Sequence, residues 1–183
     1  MRKMAKKSCG RARKVALLVR GPLKTKEKGE LAELAFLHKT ASLGFGVAQP
    51  HGDSERYDFI LDSGERFWRV QVKSTSYIEA DRSAYVANVC HNYKGRKVKA
   101  YQAVEVDFIA VYIVPLNIWY IIPVNQLGSL RSLRLYPSGC QGAGRFEQFR
   151  EAWHLMAPGA DLPKPRNSRR AGSNNLHCKR FIE

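Results

Sequence analysis

The sequence has few cysteines, few acids and no long apolar run, and each shortage removes a class of protein. Four cysteines stand at positions 9, 90, 140 and 178 of 183, with no C-x-x-C pair among them. That spacing frames neither a disulfide-stapled scaffold nor a zinc site, so free thiols are expected. The pairs Cys90-His91 and His177-Cys178 carry metal-ligand side chains, but nothing in their spacing joins them. No stretch reaches the roughly 20 apolar residues that cross a bilayer. The early apolar run, residues 15–19, is shorter than the about 7 to 15 residues of a secretion-signal core. A cytoplasmic protein is expected, and no internal repeat is visible.

What is abundant is positive charge. There are 31 lysines and arginines against 16 acids, a net +15, while 44% hydrophobic and 10% aromatic residues are enough for a core. The charge is uneven. Residues 1–28 hold eleven lysines and arginines against Glu27, a net +10, and residues 157–183 hold six against Asp161 and Glu183, a net +4. The stretch between them carries only +1. This divides the chain into a flexible basic N-terminal arm (1–24), a nearly neutral folded domain (25–156) and a flexible basic C-terminal tail (157–183). Basic arms on a neutral domain attract a polyanion and gain affinity by displacing its counterions.

Periodicity predicts a helix over 25–42, with Leu31, Leu34, Ala35, Leu37 and Ala41 at helical spacing and Gly44 as its stop. A short strand follows near 45–48. Residues 56–62 alternate, break at Ser63-Gly64 and resume alternation over 65–74, which reads as a hairpin. A further strand is expected over 84–90, then a basic flexible loop, 91–97. Two continuous apolar runs, 107–114 and 117–122, read as strands covered on both faces. Gly144 precedes an expected last helix, 145–156, with Phe146, Phe149, Trp153 and Met156 on one side. The fold class is therefore α/β, a central mixed sheet flanked by helices.

Chemistry concentrates in the hairpin. Side chains alternate along a strand, so Arg69, Gln71 and Lys73 share one face while Trp68, Val70 and Val72 share the other. With a two-residue turn Asp58 lies opposite Arg69 and diagonal to Gln71; with four residues it lies opposite Gln71 itself. Either register groups Asp58, Gln71 and Lys73. A carboxylate and an amide carbonyl are hard oxygen ligands for Mg²⁺, and an ammonium beside them can orient a water or steady charge on a phosphate.

Tyr57-Asp58, followed after twelve residues by Gln71-Val72-Lys73, resembles the P-D…(D/E)-x-K signature of the restriction-endonuclease-like nucleases, with Gln71 in place of the second acid and Tyr57 in place of the proline. The Arg69-to-Lys73 strand is most similar to that of the group I intron-associated homing endonucleases within this superfamily. Lys28-Gly29-Glu30-Leu31-Ala32-Glu33, Gln49-Pro50, Val106-Asp107-Phe108-Ile109, Trp119-Tyr120-Ile121-Ile122-Pro123 and Glu151-Ala152-Trp153-His154 extend the likeness from about Thr25 to Met156.

The resemblance implies a restriction-endonuclease-like core and Mg²⁺-dependent hydrolysis of double-stranded DNA, with Mn²⁺ as a substitute ion. It implies a glutamate of the first helix as a further ligand. Its spacing selects Glu33, whereas the helix pattern alone favours Glu30. The implied catalytic set is Glu33, Asp58, Gln71 and Lys73, the first three holding metal, and no organic cofactor is expected. Double-strand cutting with one site per chain implies a homodimer or homotetramer. A DNA-binding protein of nuclease ancestry that no longer cuts is the main alternative, and a Holliday-junction resolvase-like nuclease is another. An RNA-binding reading rests on charge and on Tyr77, Tyr85, Tyr93 and Tyr101.

Overall fold

The computed structural model describes residues 23–52, 54–80, 84–93, 97–139 and 144–165. Most of the expected basic arm and tail, and the tip of the basic loop, lie outside these residues. Helix α1 spans Thr25–Ser42, as its periodicity predicts. The backbone N–H of Lys24 donates to the Glu27 carboxylate at 2.8 Å, which fixes the first turn. At the other end Gly44 takes a left-handed φ of +88°, a conformation that ends helices at little cost only for glycine.

The face that α1 turns to the core differs from the expectation. Ala32, Phe36 and Thr40 are buried, while Leu31, Leu34 and Leu37 are exposed. Apolar residues occur on both sides of this helix, so periodicity offers two stripes. The stripe of small residues around Phe36 is the one that lets the helix lie close on the sheet. Burying Thr40 there leaves no unmet hydroxyl, since its Oγ1 donates to Phe36 O at 2.8 Å.

The central sheet contains β1 (Gly46–Ala48), β2 (Phe59–Asp62), β3 (Phe67–Thr75), β7 (Phe108–Ile113) and β8 (Ile118–Pro123), in the order β1-β2-β3-β7-β8. Only the β3–β7 pair is parallel. A parallel neighbour requires a long crossover. Here the crossover carries β4 (Tyr85–Asn88) and a hairpin of β5 (Cys90–Tyr93) and β6 (Lys97–Ala100), and β4 pairs with β9 (Ser132–Leu135). The expected flexible loop over 91–97 is thus largely a β-hairpin. Its second strand and β9 have no counterpart among the expected elements, because both are short and mix charged with apolar residues.

Both faces of the sheet are covered, as the continuous apolar runs of β7 and β8 imply. On the α1 side Phe36 meets Phe59 and Trp119 at ring-centre distances of 5.2 and 5.6 Å, and Trp68 stands edge-on to Phe108 at 5.1 Å. The Trp68 indole N–H donates to Met156 O at 2.9 Å. The opposite face packs Ile109, Val111, Tyr120 and Ile122 against Leu133, Leu135, Phe146 and Phe149.

The expected helix over 145–156 is replaced by two 3₁₀ turns, Glu147–Phe149 and Trp153–Met156. Between them Arg150 bridges to Tyr120 at the β8 edge, Glu151 N–H donates to Trp119 O at 2.8 Å, and Glu151 adopts a φ of +48°. The reason is topological. Phe146 and Phe149 enter the core on one face while Trp153 and Met156 enter the other, so the chain must cross the sheet edge. A continuous helix cannot do that in so few residues. Among the described residues no helix is long and apolar enough to cross a membrane.

Candidate functional site

The β2–β3 ladder settles the register left open by the sequence. Asp62 pairs with Phe67 and Phe59 with Val70, so a four-residue loop connects the strands and Asp58 comes opposite Gln71. The loop is held by its own side chains. Gly64 N–H donates to Asp62 Oδ1 at 2.7 Å, Arg66 N–H donates to Ser63 Oγ at 3.1 Å, and Gly64 sits at a φ of +86° that suits glycine.

Asp58 stands just before β2 and is pinned to β3. Its N–H donates to Val70 O at 2.9 Å, and its Oδ2 accepts both the Val72 N–H at 2.7 Å and the Gln71 side-chain N–H at 2.5 Å. Oδ1 has no protein donor among the described residues. Gln71 is 8% exposed and commits its amide nitrogen to Asp58 and to Val72 O. Its carbonyl oxygen remains as the group it can offer a ligand.

Lys73, next on the same face, lies with its Nζ 5.5 Å from the ring centre of Tyr101. Burial pushes the Lys73 ammonium below its ordinary pKa, and the carboxylate of Asp58 and the nearby Cys90 and Glu33 oppose that fall. The Asp58 carboxyl is raised by burial, against the lowering effects of the Val72 N–H, Lys73 and Gln71. Glu33 reaches the site from the edge of α1. Its carboxyl is raised first by burial, then by the charges of Asp58 and Glu30, with Lys73 opposing. The structure therefore brings Glu33, Asp58, Gln71 and Lys73 within electrostatic reach of one another. Glu30, the helix pattern's choice, faces solvent and pairs with Lys26 at 3.8 Å.

Arg69 shares the strand face but not the site. Its guanidinium donates to both Asp107 oxygens at 3.1 Å and to Ala103 O at 3.0 Å, and its N–H donates to Asp107 Oδ2 at 2.9 Å. This clamp ties the start of β7 to β3 and so aligns the parallel pair. Two acids near the C-terminal end are likewise structural. Glu147 accepts from Tyr120 OH and Tyr136 N–H, and Glu151 accepts from Trp119 N–H and the Trp153 indole. Sequence reading missed Tyr101 as a neighbour of Lys73. Tyr101 directly follows β6, and its contact with Lys73 spans the crossover and leaves no local pattern. At 3% exposure Tyr101 offers no stacking surface for a base, which weakens the RNA reading.

Among the described residues no three His, Cys, Asp or Glu side chains cluster as a metal site. Position 71 carries an amide where the family signature has an acid, so Glu33, Asp58 and Gln71 present two carboxyls and one carbonyl.

The profile of the PD-(D/E)XK endonuclease family matches residues 23–156. Among solved structures, a bacterial homing endonuclease, I-Ssp6803I, is similar over 72% of this chain and 92% of its own, with 29% identity and a TM-score of 0.64. MepB shares 13% identity over 61% of this chain and 82% of its own at a TM-score of 0.34. No curated protein sequence matches. The resemblance read from Tyr57-Asp58 and Gln71-Val72-Lys73 is borne out, and the chain belongs to the PD-(D/E)XK endonuclease family.

Proposed function

We infer that this protein is a metal-dependent endonuclease that hydrolyses phosphodiester bonds of double-stranded DNA, in the manner of a homing endonuclease. One observation carries the reading. Asp58 is fastened to the strand that bears Gln71 and Lys73, so a carboxylate oxygen, an amide carbonyl and an ammonium share one sheet face.

The donor set fits a hard divalent cation. Two partly buried carboxyls, both raised by burial and Glu33 raised further by the charge of Asp58, form a site short of positive charge, and the Gln71 carbonyl adds a third oxygen. Glu33, Asp58 and Gln71 would hold Mg²⁺, with Mn²⁺ as substitute. When bound, such an ion polarises a phosphoryl oxygen and acidifies a water. Lys73, whose ammonium form the charges of Asp58 and Glu33 favour against burial, donates to a phosphate oxygen or to the attacking water and steadies the charge that grows on the phosphate. Tyr101 packs beside its Nζ and limits where that ammonium can go. The water oxygen bonds to phosphorus and gives up a proton to bulk water as the phosphorus–oxygen bond to the leaving strand breaks, and the departing oxygen takes up a proton from bulk water.

Gln71 also favours the second reading, a DNA-binding protein that no longer cuts, because the site has one anion fewer than a version with an acid there. One assay separates them. Purified protein in millimolar Mg²⁺ or Mn²⁺ is expected to linearise plasmid DNA. Retained binding without cleavage supports the non-cutting reading, and selective cleavage of branched DNA supports a resolvase-like substrate.

The basic segments outside the 25–156 domain are read as the source of long-range attraction. Deleting residues 1–23 removes eight lysines and arginines. For every phosphate those side chains neutralise, the deletion should reduce the slope of log affinity against log salt by about 0.9 in magnitude, with turnover on saturating DNA preserved. Binding isotherms at several salt concentrations check this; an unchanged slope would leave the arm no part in binding.

A further inference from the structure

The outward face of α1 is apolar and has no occupant among the described residues. Leu31, Leu34 and Leu37 are 50%, 60% and 39% exposed, and none belongs to either core. At about 100° per residue these three and His38 fall within one third of the helix circumference, opposite Ala32, Phe36 and Thr40. Positions 30, 34, 37 and 41 repeat at alternating intervals of four and three, the spacing of a helix–helix seam. A lone exposed leucine means little, but three on one stripe of a well-formed helix mark an interaction surface.

We propose that this face is an isologous interface, on which α1 of a second copy of the chain packs antiparallel across a two-fold axis near Leu34. The pattern is complementary to itself. With Leu34 facing Leu34, Leu31 faces Leu37 of the other helix, and Glu30 faces His38. A carboxylate thus meets an imidazole twice, once on each side of the axis. Antiparallel pairing also lays the basic first turn, Lys24, Lys26 and Lys28, beside the other helix's C-terminal end, where cations are favoured. Leucines packed ridge into groove allow helix axes about 8–10 Å apart, close enough to bury the exposed stripe.

The interface follows from the helix alone and does not need the nuclease reading. Its use for a nuclease is direct. Glu33 is next to Leu34 in sequence yet on the site edge of the helix, so pairing through Leu34 leaves Glu33 in its own site and joins two sites for the two strands of a duplex.

Sedimentation velocity on the full chain tests the proposal. The parent should associate at micromolar concentration. Leu34→Glu and Leu31→Lys should each raise the dissociation constant roughly tenfold or more, while Leu116→Glu, at an exposed leucine between β7 and β8, should leave it unchanged. Circular dichroism should be the same for all, since these side chains are already exposed. His38→Glu should weaken association by opposing Glu30, and Glu30→Lys combined with His38→Glu should restore it. A monomeric parent, Leu34→Glu protein that associates like the parent, or a double swap that fails to recover would overturn the proposal.

Discussion

Trp68, Val70 and Val72 alternate along β3 with Arg69, Gln71 and Lys73, and the two sets are held in opposite ways. The first set is buried in the core under α1, where contact with Phe36, Phe59 and Phe108 fixes it and any hydrophobe of similar size would serve. The second set is held by directed bonds: Arg69 to Asp107, Gln71 to Asp58, and Lys73 against Tyr101. One strand therefore supplies both the rigid scaffold and the polar group that the scaffold positions. The cost of the site is electrostatic. The core face is comfortable at any ordinary pH, whereas the site face holds two carboxyls and an ammonium that burial has shifted toward their neutral forms.

Substitution on the core face should do the most damage. Trp68→Ala removes a nearly fully buried indole and its bond to Met156 O, and should cost about 3–5 kcal/mol of stability. Urea unfolding measures this, and a loss below about 1 kcal/mol would contradict the packing argument. On the site face Gln71→Glu should not unfold the protein. It adds an anionic oxygen and should tighten Mg²⁺ or Mn²⁺ binding by roughly tenfold, because ligand charge sets affinity at such sites. Isothermal titration calorimetry reads the affinity directly, and unchanged affinity would remove Gln71 from the ligand set.

A subtler change concerns the shifted carboxyls. A carboxyl whose folded pKa is raised contributes stability that is present below its unfolded pKa and lost as pH rises through the folded value. Asp58 and Glu33 both fall in this class. Without divalent ions the parent should therefore lose stability as pH rises from about 4 toward neutrality. Asp58→Asn and Glu33→Gln lack that loss and should melt a few degrees higher than the parent at neutral pH, with the gap closing in acid. Saturating Mg²⁺ should reverse the order, since the ion stabilises the folded parent by mass action. Calorimetric melts across this range check both signs, and variants that melt below the parent at neutral pH without metal would contradict the assigned cost.

Much of this was legible in the sequence. Helix α1 ends where Gly44 says it should, and the Ser63-Gly64 break located the hairpin that carries Asp58, Gln71 and Lys73. What was not legible depends on partners distant in the chain. Loop length alone allowed two registers, and side-chain bonds within the turn chose one. Helix α1 offers two apolar stripes, so only the sheet beneath it selects Phe36 over the leucines. That same rotation brings Glu33 within reach of the charges of Asp58 and Lys73 and leaves Glu30 in solvent beside Lys26. Arg69 shares a strand face with Gln71 and Lys73, and its partner Asp107 is brought to it only by the parallel β7. The final segment failed as a helix because its aromatic residues serve two cores, a division that no local periodicity records.

Single-turnover cleavage by Lys73→Met protein decides whether the polar face of β3 cuts DNA. Cleavage in Mg²⁺ should fall by about 10²-fold or more, while DNA affinity in Ca²⁺ stays within a few-fold of the parent. Cleavage at the parent's rate by this variant would contradict the assignment of the site.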